Sequence, residues 1–228
     1  MRVAVIPARG GSKRIPYKNI KLFHGKPIIA YPIETAILSG LFDRIIVSTD
    51  DPAIATIAKR YGAQVPFIRP ASIADDHASI LAVMQHALSW LAEQGDRVDI
   101  VCCLFATAVF MRSDDLIQAL RFLRDPIRYV FSATEYTYPI ERAFKINTSQ
   151  CAEMLWPDNY NKRSQDLEKI YHDAGMFYFG SAEAFLTGLP LIGPAAMPYL
   201  LPHYRVQDID KPEDWLRAEK YYQVLQSC

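Results

Sequence analysis

The sequence has little of what marks several broad classes of protein. Its only cysteines, Cys102, Cys103, Cys151 and Cys228, show no spacing typical of metal ligands. No apolar run approaches the roughly 20 residues that cross a bilayer, and the apolar run before Arg9, about six residues, is too short for a secretory leader. We therefore expect a soluble cytoplasmic protein with reduced thiols.

An excess of one charge is also absent. Lys and Arg total 25 and Asp and Glu total 25, which argues against a nucleic acid or an anionic membrane as the main partner. Half of the residues are hydrophobic and 22% are charged, so a sizeable core is expected. We predict one domain over residues 1–228.

What the sequence does contain is a regular alternation of short apolar runs and helical patterns. Such alternation predicts an α/β fold, with a mainly parallel sheet covered by helices on both faces. The predicted strands are residues 2–7, 44–48, 64–68, 99–105, 129–134 and 176–180, with a short strand near 204–206. The predicted helices are residues 27–39, 52–61, 79–94 and 113–124, and a last one from about residue 212.

Three local features refine this prediction. Pro32 is expected to kink the first helix or to move its start, and Ser113 is expected to be an N-cap. Residues 136–167 break the alternation and predict short strands and loops, yet they are too aromatic for a disordered linker. We interpret residues 136–167 as an inserted arm that packs against another surface.

A basic, glycine-containing turn follows the first strand, in the stretch VIPARGGSKRIPYKN at residues 5–19. Glycine lets the backbone approach phosphate closely, and nearby cations supply the countercharge. The spacing matches neither the Walker A pattern nor the dinucleotide fingerprint. Because ligands of such sheets bind beyond the carboxyl ends of the strands, we favour a phosphate site over an ordinary basic turn.

Two aspartates near the end of the chain, Asp208 and Asp210, alternate in the stretch QDIDKPEDW. In an extended segment both carboxylates point to one side, which suits Mg²⁺ held beside phosphate. The same letters also suit a helix start, with Asp210 as N-cap, Pro212 in the first turn and Glu213 in a capping box. Both interpretations stay open.

Other polar residues follow the inner strands. Asp50 and Asp51 come after the second strand and are open to the same two interpretations, with Asp51 a good N-cap before Pro52. The stretch RPASIADDHAS offers four further candidates, Arg69, Asp76, His77 and Ser79. A lone histidine is more often a surface residue than a catalyst.

Three stretches together carry a resemblance that covers nearly the whole chain. VIPARGGSKRIPYKN, IVSTDDPAIATIAKRYGAQVPFIRPASIADDHAS and VQDIDKPEDW resemble blocks of the cytidylyltransferases that activate nine-carbon acidic sugars, the relatives of CMP-sialic acid synthetase. RSQDLEKIYHDAGMFYFG and CCLFATAVF are more similar to the branch that acts on pseudaminic acid.

The resemblance implies a fold, a reaction and a set of site residues. The fold would be a Rossmann-like three-layer sandwich of the nucleotide-diphospho-sugar transferase type. The reaction would be attack of a sugar hydroxyl on the α-phosphate of CTP, with Mg²⁺ as cofactor and pyrophosphate as leaving group. The implied catalytic residues are Arg9, Lys13, Asp208 and Asp210, with Asp208 and Asp210 as metal ligands. The implied CTP-binding residues are Ala8, Gly10, Gly11, Ser12, Lys18, Asn19, Arg69 and Ser79. The implied sugar-binding residues are Thr107, Arg163, Gln165, Tyr171, His172 and Asp173.

The resemblance also implies a homodimer, with residues 136–167 as a dimerisation arm that reaches into the partner's site. The proton acceptor stays open between a metal-bound hydroxyl and Asp208. Sialic acid and legionaminic acid are alternative sugars. A non-catalytic nucleotide-binding module and a nicotinamide-dependent oxidoreductase are alternatives of other classes, and the second lacks its glycine fingerprint here.

Overall fold

The computed structural model describes residues 1–75 and 78–226, and a six-stranded sheet forms its centre. The strands in this described part of the chain are β1 (Arg2–Pro7), β2 (Leu22–Phe23), β3 (Lys26–Pro27), β4 (Arg44–Ser48), β5 (Ile100–Leu104), β6 (Tyr129–Glu135), β7 (Phe144–Ile146), β8 (Ala152–Met154), β9 (Tyr171–Ser181) and β10 (Ala196–Leu200). The central sheet has the order β10-β6-β9-β5-β1-β4. Strand β9 runs antiparallel to both of its neighbours, and the other pairs are parallel.

Helices cover the sheet on both faces, as the alternation predicted. They are α1 (Ala30–Ser39), α2 (Pro52–Arg60), α3 (Ile80–Glu93), α4 (Ser113–Leu120), α5 (Ala182–Leu186) and α6 (Pro212–Gln226). Alternate residues of β1 enter two separate cores: Ala4 and Ile6 pack with α1, α2, α4 and α6, whereas Val3 and Val5 pack with α3 and α5. The three-layer α/β prediction is therefore confirmed.

The predicted strand at residues 64–68 is wrong. Only Gln64 pairs with the sheet, in an isolated parallel bridge to Ile46. Two positions later Pro66 has no N–H to donate, so the ladder cannot continue along β4. The short strand expected near residues 204–206 is also wrong, because the chain forms a 3-10 turn there, His203–Arg205.

Helix starts follow local chemistry with small shifts. Pro32 moves the start of α1 to Ala30, which places the proline in the first turn, where a missing N–H costs little. The expected N-cap at Ser113 is wrong by one residue: Arg112 is the N-cap, and its backbone N–H donates to the carboxylate of Asp115 at 2.9 Å.

Residues 136–170 form a surface segment with a small two-stranded sheet, β7 paired with β8, and short 3-10 turns. Several of its large apolar side chains are exposed, including Tyr138 at 82% and Tyr160 at 72%. Among the described residues, no helix has both the length and the apolar character needed to cross a membrane.

Candidate functional site

The basic turn after β1 is held in place by the residues that follow β4. The Ala8 N–H donates to the carbonyl of Ser48 at 2.9 Å, and the Gly10 N–H donates to the carboxylate of Asp50 at 3.0 Å. A Cβ on Gly10 would lie 2.5 Å from Oδ2 of Asp51, so only glycine fits beside that carboxylate. Asp51 caps α2, as expected, by accepting the N–H groups of Ala53 and Ile54.

Arg69 is a buried cation directly behind this turn. Its side chain is only 4% exposed, and its Nη2 lies 3.7 Å from the Asp50 carboxylate, beyond hydrogen-bond distance. Neither Nε nor Nη2 has a hydrogen-bond partner among the described residues. Burial lowers the pKa of Arg69, although Asp50 opposes that shift. A buried guanidinium with unused donors is suited to a polar ligand group.

Two adjoining pockets lie between these elements, and they share Arg9, Lys18 and Asn19 as lining residues. The first has a volume of about 380 Å³ and is lined by Arg9, Ser12, Lys13, Arg14, Lys18, Asn19 and Asp210. The second has a volume of about 270 Å³, and its lining includes Arg9, Lys18, Asn19, Arg69, Phe105 and Thr107. One pocket is thus strongly cationic, and the other is partly apolar with a buried arginine at its wall.

The end of the chain closes the cationic pocket. The ammonium group of Lys18 donates to the carbonyl of Ile209 at 2.7 Å and pairs with Asp210 at 3.2 Å. Arg14 pairs with the other oxygen of Asp210 at 2.9 Å. The predicted juxtaposition of the glycine turn with the acidic stretch is therefore present.

The helix-cap interpretation of Asp210 and Glu213 is wrong. The carboxylate of Asp214 accepts the N–H groups of Asp210 at 3.1 Å and Lys211 at 2.9 Å, so a residue one position beyond Glu213 caps α6. This arrangement leaves the Asp210 side chain directed at the cations of the basic turn.

Asp208 lies beside this contact, in surroundings that disfavour its ionised carboxylate. Its side chain reaches solvent, yet the protein atoms around it raise its pKa, and the neighbouring Asp210 carboxylate raises it further. A Cβ on Gly175 of β9 would lie 3.9 Å from Oδ1 of Asp208, which places β9 beneath the acidic stretch. Two carboxylates that repel each other fit a divalent cation. Among the described residues no group of three or more His, Cys, Asp or Glu is arranged to hold a metal.

The residues expected on the sugar side lie in different surroundings. Thr107 lines the second pocket. At the start of β9, Tyr171 is exposed, and Nδ1 of His172 lies 2.8 Å from the carbonyl oxygen of Asp173. The Asp173 carboxylate accepts the Gly175 N–H at 2.8 Å and the hydroxyl of Tyr178, so it holds the turn that approaches Asp208.

Arg163 and Gln165 are not brought to the two pockets. Arg163 pairs with Asp166 at 2.9 Å on the surface segment, and Gln165 lines a separate pocket with residues 135–140 and 167–170. The hydroxyl of Ser79 accepts the Ala82 N–H at 3.1 Å and caps α3. Asp76 and His77 lie outside the described residues.

Two residues near the site were not assigned roles from the sequence. Arg14 belongs to the basic turn and pairs with Asp210, a contact that only the folded chain brings about. Asp50 was open between metal ligand and cap, but it holds the Gly10 N–H and faces Arg69. Its position directly after β4 was the available signal.

Comparison with known proteins gives a consistent result. The family model described as cytidylyltransferase matches residues 3–187. The chain is 46% identical over 223 residues to a pseudaminic acid cytidylyltransferase of Campylobacter jejuni, covering 97% of this chain and 96% of that protein. It is 32% identical to the CMP-N,N'-diacetyllegionaminic acid synthase of Legionella pneumophila, covering 100% of this chain and 99% of that protein.

A solved structure of a CMP:2-keto-3-deoxy-manno-octonic acid synthetase complexed with CTP superposes with a TM-score of 0.69 at 19% identity, covering 100% of this chain and 99% of that one. At that level of identity the similarity concerns the fold alone.

Proposed function

The chain belongs to the cytidylyltransferase family, and from that premise we propose that it transfers the cytidylyl group of CTP to pseudaminic acid and releases pyrophosphate. The choice of sugar is supported by the 46% identity to the Campylobacter jejuni protein over nearly the full length of both chains.

The observation that carries the proposal is the contact between the basic turn and the acidic stretch. Lys18 bonds to Ile209, 191 positions further along the chain, and a cationic pocket forms beside two carboxylates. Phosphoryl transfer from a nucleoside triphosphate needs this combination, because negative charge spreads over the phosphate oxygens in the transition state.

In the proposed reaction, the anomeric hydroxyl oxygen of the sugar bonds to the α-phosphorus of CTP. The bond from that phosphorus to the bridging oxygen of the β-phosphate breaks, and the hydroxyl proton is released. Arg9, Lys13 and Lys18 hold the triphosphate, and Ala8, Gly10, Gly11 and Ser12 form the backbone around it. Asn19, Arg69 and Ser79 orient the nucleoside, and the buried, unused donors of Arg69 support this role.

Asp208 and Asp210 are the residues that would hold Mg²⁺. When bound, this ion would neutralise charge on the phosphates and on the leaving pyrophosphate. Desolvation by the surrounding protein raises the pKa of Asp208 and the neighbouring Asp210 carboxylate raises it further, and a bound cation would offset both effects, which supports this assignment.

The proposal extends to the assembly and the sugar side. We assign residues 136–167 as a dimerisation arm of a homodimer, supported by exposed aromatic side chains such as Tyr138 and Tyr160. Thr107, Tyr171, His172 and Asp173 would contact the sugar, with Arg163 and Gln165 of the arm doing so in the assembled dimer. The enzyme would act in the cytoplasm, where CTP is available.

In the test, the protein is incubated with CTP, Mg²⁺ and one of three sugar acids at a time: pseudaminic, legionaminic or N-acetylneuraminic acid. Pyrophosphate release and the mass of the product are then measured. We expect a CMP-sugar with the highest kcat/KM for pseudaminic acid. Preference for another acid would refute the sugar assignment, and no pyrophosphate release with any acid would favour the non-catalytic nucleotide-binding module.

A further inference from the structure

A buried ion pair links two segments that lead into the proposed site. The guanidinium of Arg205 donates a hydrogen bond to the carboxylate of Asp115, and these residues are 8% and 5% exposed. The same nitrogen of Arg205 donates to the carbonyl of Phe110 at 3.3 Å. The carboxylate of Asp115 also accepts the backbone N–H of Arg112 at 2.9 Å. One buried contact thus joins the 3-10 turn, the start of α4 and the loop between β5 and α4.

Two of the joined segments, the 3-10 turn and the loop between β5 and α4, lead into the site. Arg205 ends the 3-10 turn three residues before Asp208, and Ile209 on the other side of Asp208 is fully buried. Phe110 lies on the same loop as Thr107, which lines the second pocket. Asp208 is therefore held between two anchors, and one of them is tied to the loop that carries Thr107.

We propose that Arg205 and Asp115 are positioning residues, which set the placement of residues 208–210 relative to the Thr107 loop. This inference rests on the proposed function and deepens it. Neither residue lines the two nucleotide pockets, so neither is expected to touch CTP.

The pair is poorly suited to a purely stabilising role. Buried ion pairs can often be replaced by apolar residues without loss of stability, and the buried Nε of Arg205 has no hydrogen-bond partner among the described residues. By contrast, Nη2 of Arg205 donates to the Phe110 carbonyl and the Asp115 carboxylate accepts the Arg112 N–H, and these two bonds fix backbone positions that apolar side chains cannot hold.

The test is the double variant Arg205→Met with Asp115→Leu, which removes both charges together and leaves no buried charge unpaired. We expect the unfolding temperature to fall moderately, because the Arg112 N–H and the Phe110 carbonyl lose their side-chain partners. Amide hydrogen exchange is expected to rise in residues 105–111 and 206–211. We expect kcat to fall about tenfold to hundredfold, because small displacements of reacting groups have effects of that size. The KM for CTP should change less than kcat, since Lys13 and Lys18 of the basic turn, which hold the triphosphate in the proposed function, line a pocket that neither substituted residue lines.

The control is Asp96→Asn, which breaks the pair between Asp96 and Arg44 at the amino end of β4. It is expected to lower the unfolding temperature while leaving kcat and the exchange of both segments unchanged. If the double variant does not fold, Arg205→Lys serves the same test, since it keeps the charge but ends in an ammonium on a shorter side chain, which does not take the position of the Nη2 that donates to both Phe110 and Asp115.

Wild-type exchange in both segments together with wild-type kcat would overturn the proposal. Should the wild type itself transfer cytidylyl to none of the acids, the proposed function fails separately. In that case amide hydrogen exchange of the double variant is the deciding measurement. Faster exchange confined to residues 105–111 and 206–211 supports the positioning role, and unchanged exchange overturns it.

Discussion

Arg69→Met is the substitution that best separates ligand binding from stability at this site. Arg69 is buried, and its Nε and Nη2 have no hydrogen-bond partner within the described part of the chain. A desolvated guanidinium with two unused donors and only a distant carboxylate costs free energy in the empty protein, and that cost is offset when a ligand accepts its hydrogen bonds. The variant is therefore expected to be more stable than the wild type and to bind CTP more weakly.

The magnitudes follow from the contacts. Replacing poorly paired buried charges by apolar groups has stabilised proteins by about 1–4 kcal/mol, and each kcal/mol shifts the unfolding temperature by roughly 2–4 °C in a chain of this size. Asp50 loses only a contact of 3.7 Å, and its side chain remains 30% exposed to water. A hydrogen bond from a charged donor contributes about 1.5–3 kcal/mol, so the Kd for CTP is expected to rise roughly tenfold to hundredfold.

Thermal unfolding with and without CTP measures both effects in one assay. The expected result is a higher unfolding temperature without nucleotide and a smaller increase when CTP is added. Arg60→Met, on the exposed surface of α2, is the matched control and should change neither value. A lower unfolding temperature together with unchanged CTP affinity would mean that Arg69 is a structural residue, and the assignment would be refuted.

Three further predictions concern the other charges of the site. Lys13→Ala is expected to lower kcat by orders of magnitude and to leave the unfolding temperature unchanged, because Lys13 is exposed. The control Lys59→Ala, on the exposed surface of α2, should leave kcat unchanged. Near-normal kcat in the Lys13 variant would refute the assignment of Lys13 to the triphosphate. Asp208→Asn is expected to raise the half-saturating Mg²⁺ concentration for turnover. The same variant should also be more stable than the wild type at pH 7. The raised pKa of Asp208 means that the wild type loses stability as the pH rises and this carboxyl ionises, and asparagine does not ionise. The difference in stability between variant and wild type should therefore vanish in acid. Unfolding temperatures that differ equally at all pH values would contradict that reasoning. Asp50→Ala frees the Gly10 N–H and is expected to raise the KM for CTP several-fold, and an unchanged KM would show that the turn holds its shape without this anchor.

Elements that depend on local pattern were predictable from the sequence. Continuous apolar runs identified β1 and β4 with their observed bounds, since a strand buried on both faces needs no alternation. The pattern gave wrong predictions where a single residue determines whether a strand continues or how a helix is capped. Pro66 ends pairing after a single bridge, and Asp214 rather than Glu213 caps α6 because the helix begins one residue later than the capping box assumed.

The site was predictable only in part. The basic turn was visible because it combines glycine with cations directly after a strand, and the two aspartates were visible because of their spacing. The sequence did not show which charged side chains pair with each other. The pair between Arg14 and Asp210 and the pair between Arg205 and Asp115 join residues that are distant along the chain, and buried Arg69 lines a pocket together with Ile80 and Val83 of α3. Local periodicity contains no information about such contacts.

The overall charge of the chain is balanced, but these contacts show that the charges are unevenly distributed around the site. Lys and Arg equal Asp and Glu at 25 each, yet the cations of the basic turn are concentrated within a few positions. Asp210 neutralises part of that concentration through both Arg14 and Lys18. On the proposed function, a triphosphate entering the pocket competes with Asp210 for the same two cations. Each cation that turns to phosphate leaves the Asp210 carboxylate less compensated, next to the already crowded Asp208. The free-energy cost of those two carboxylates therefore increases when the nucleotide binds, and so the arrangement favours a divalent cation in the nucleotide complex more than in the empty protein.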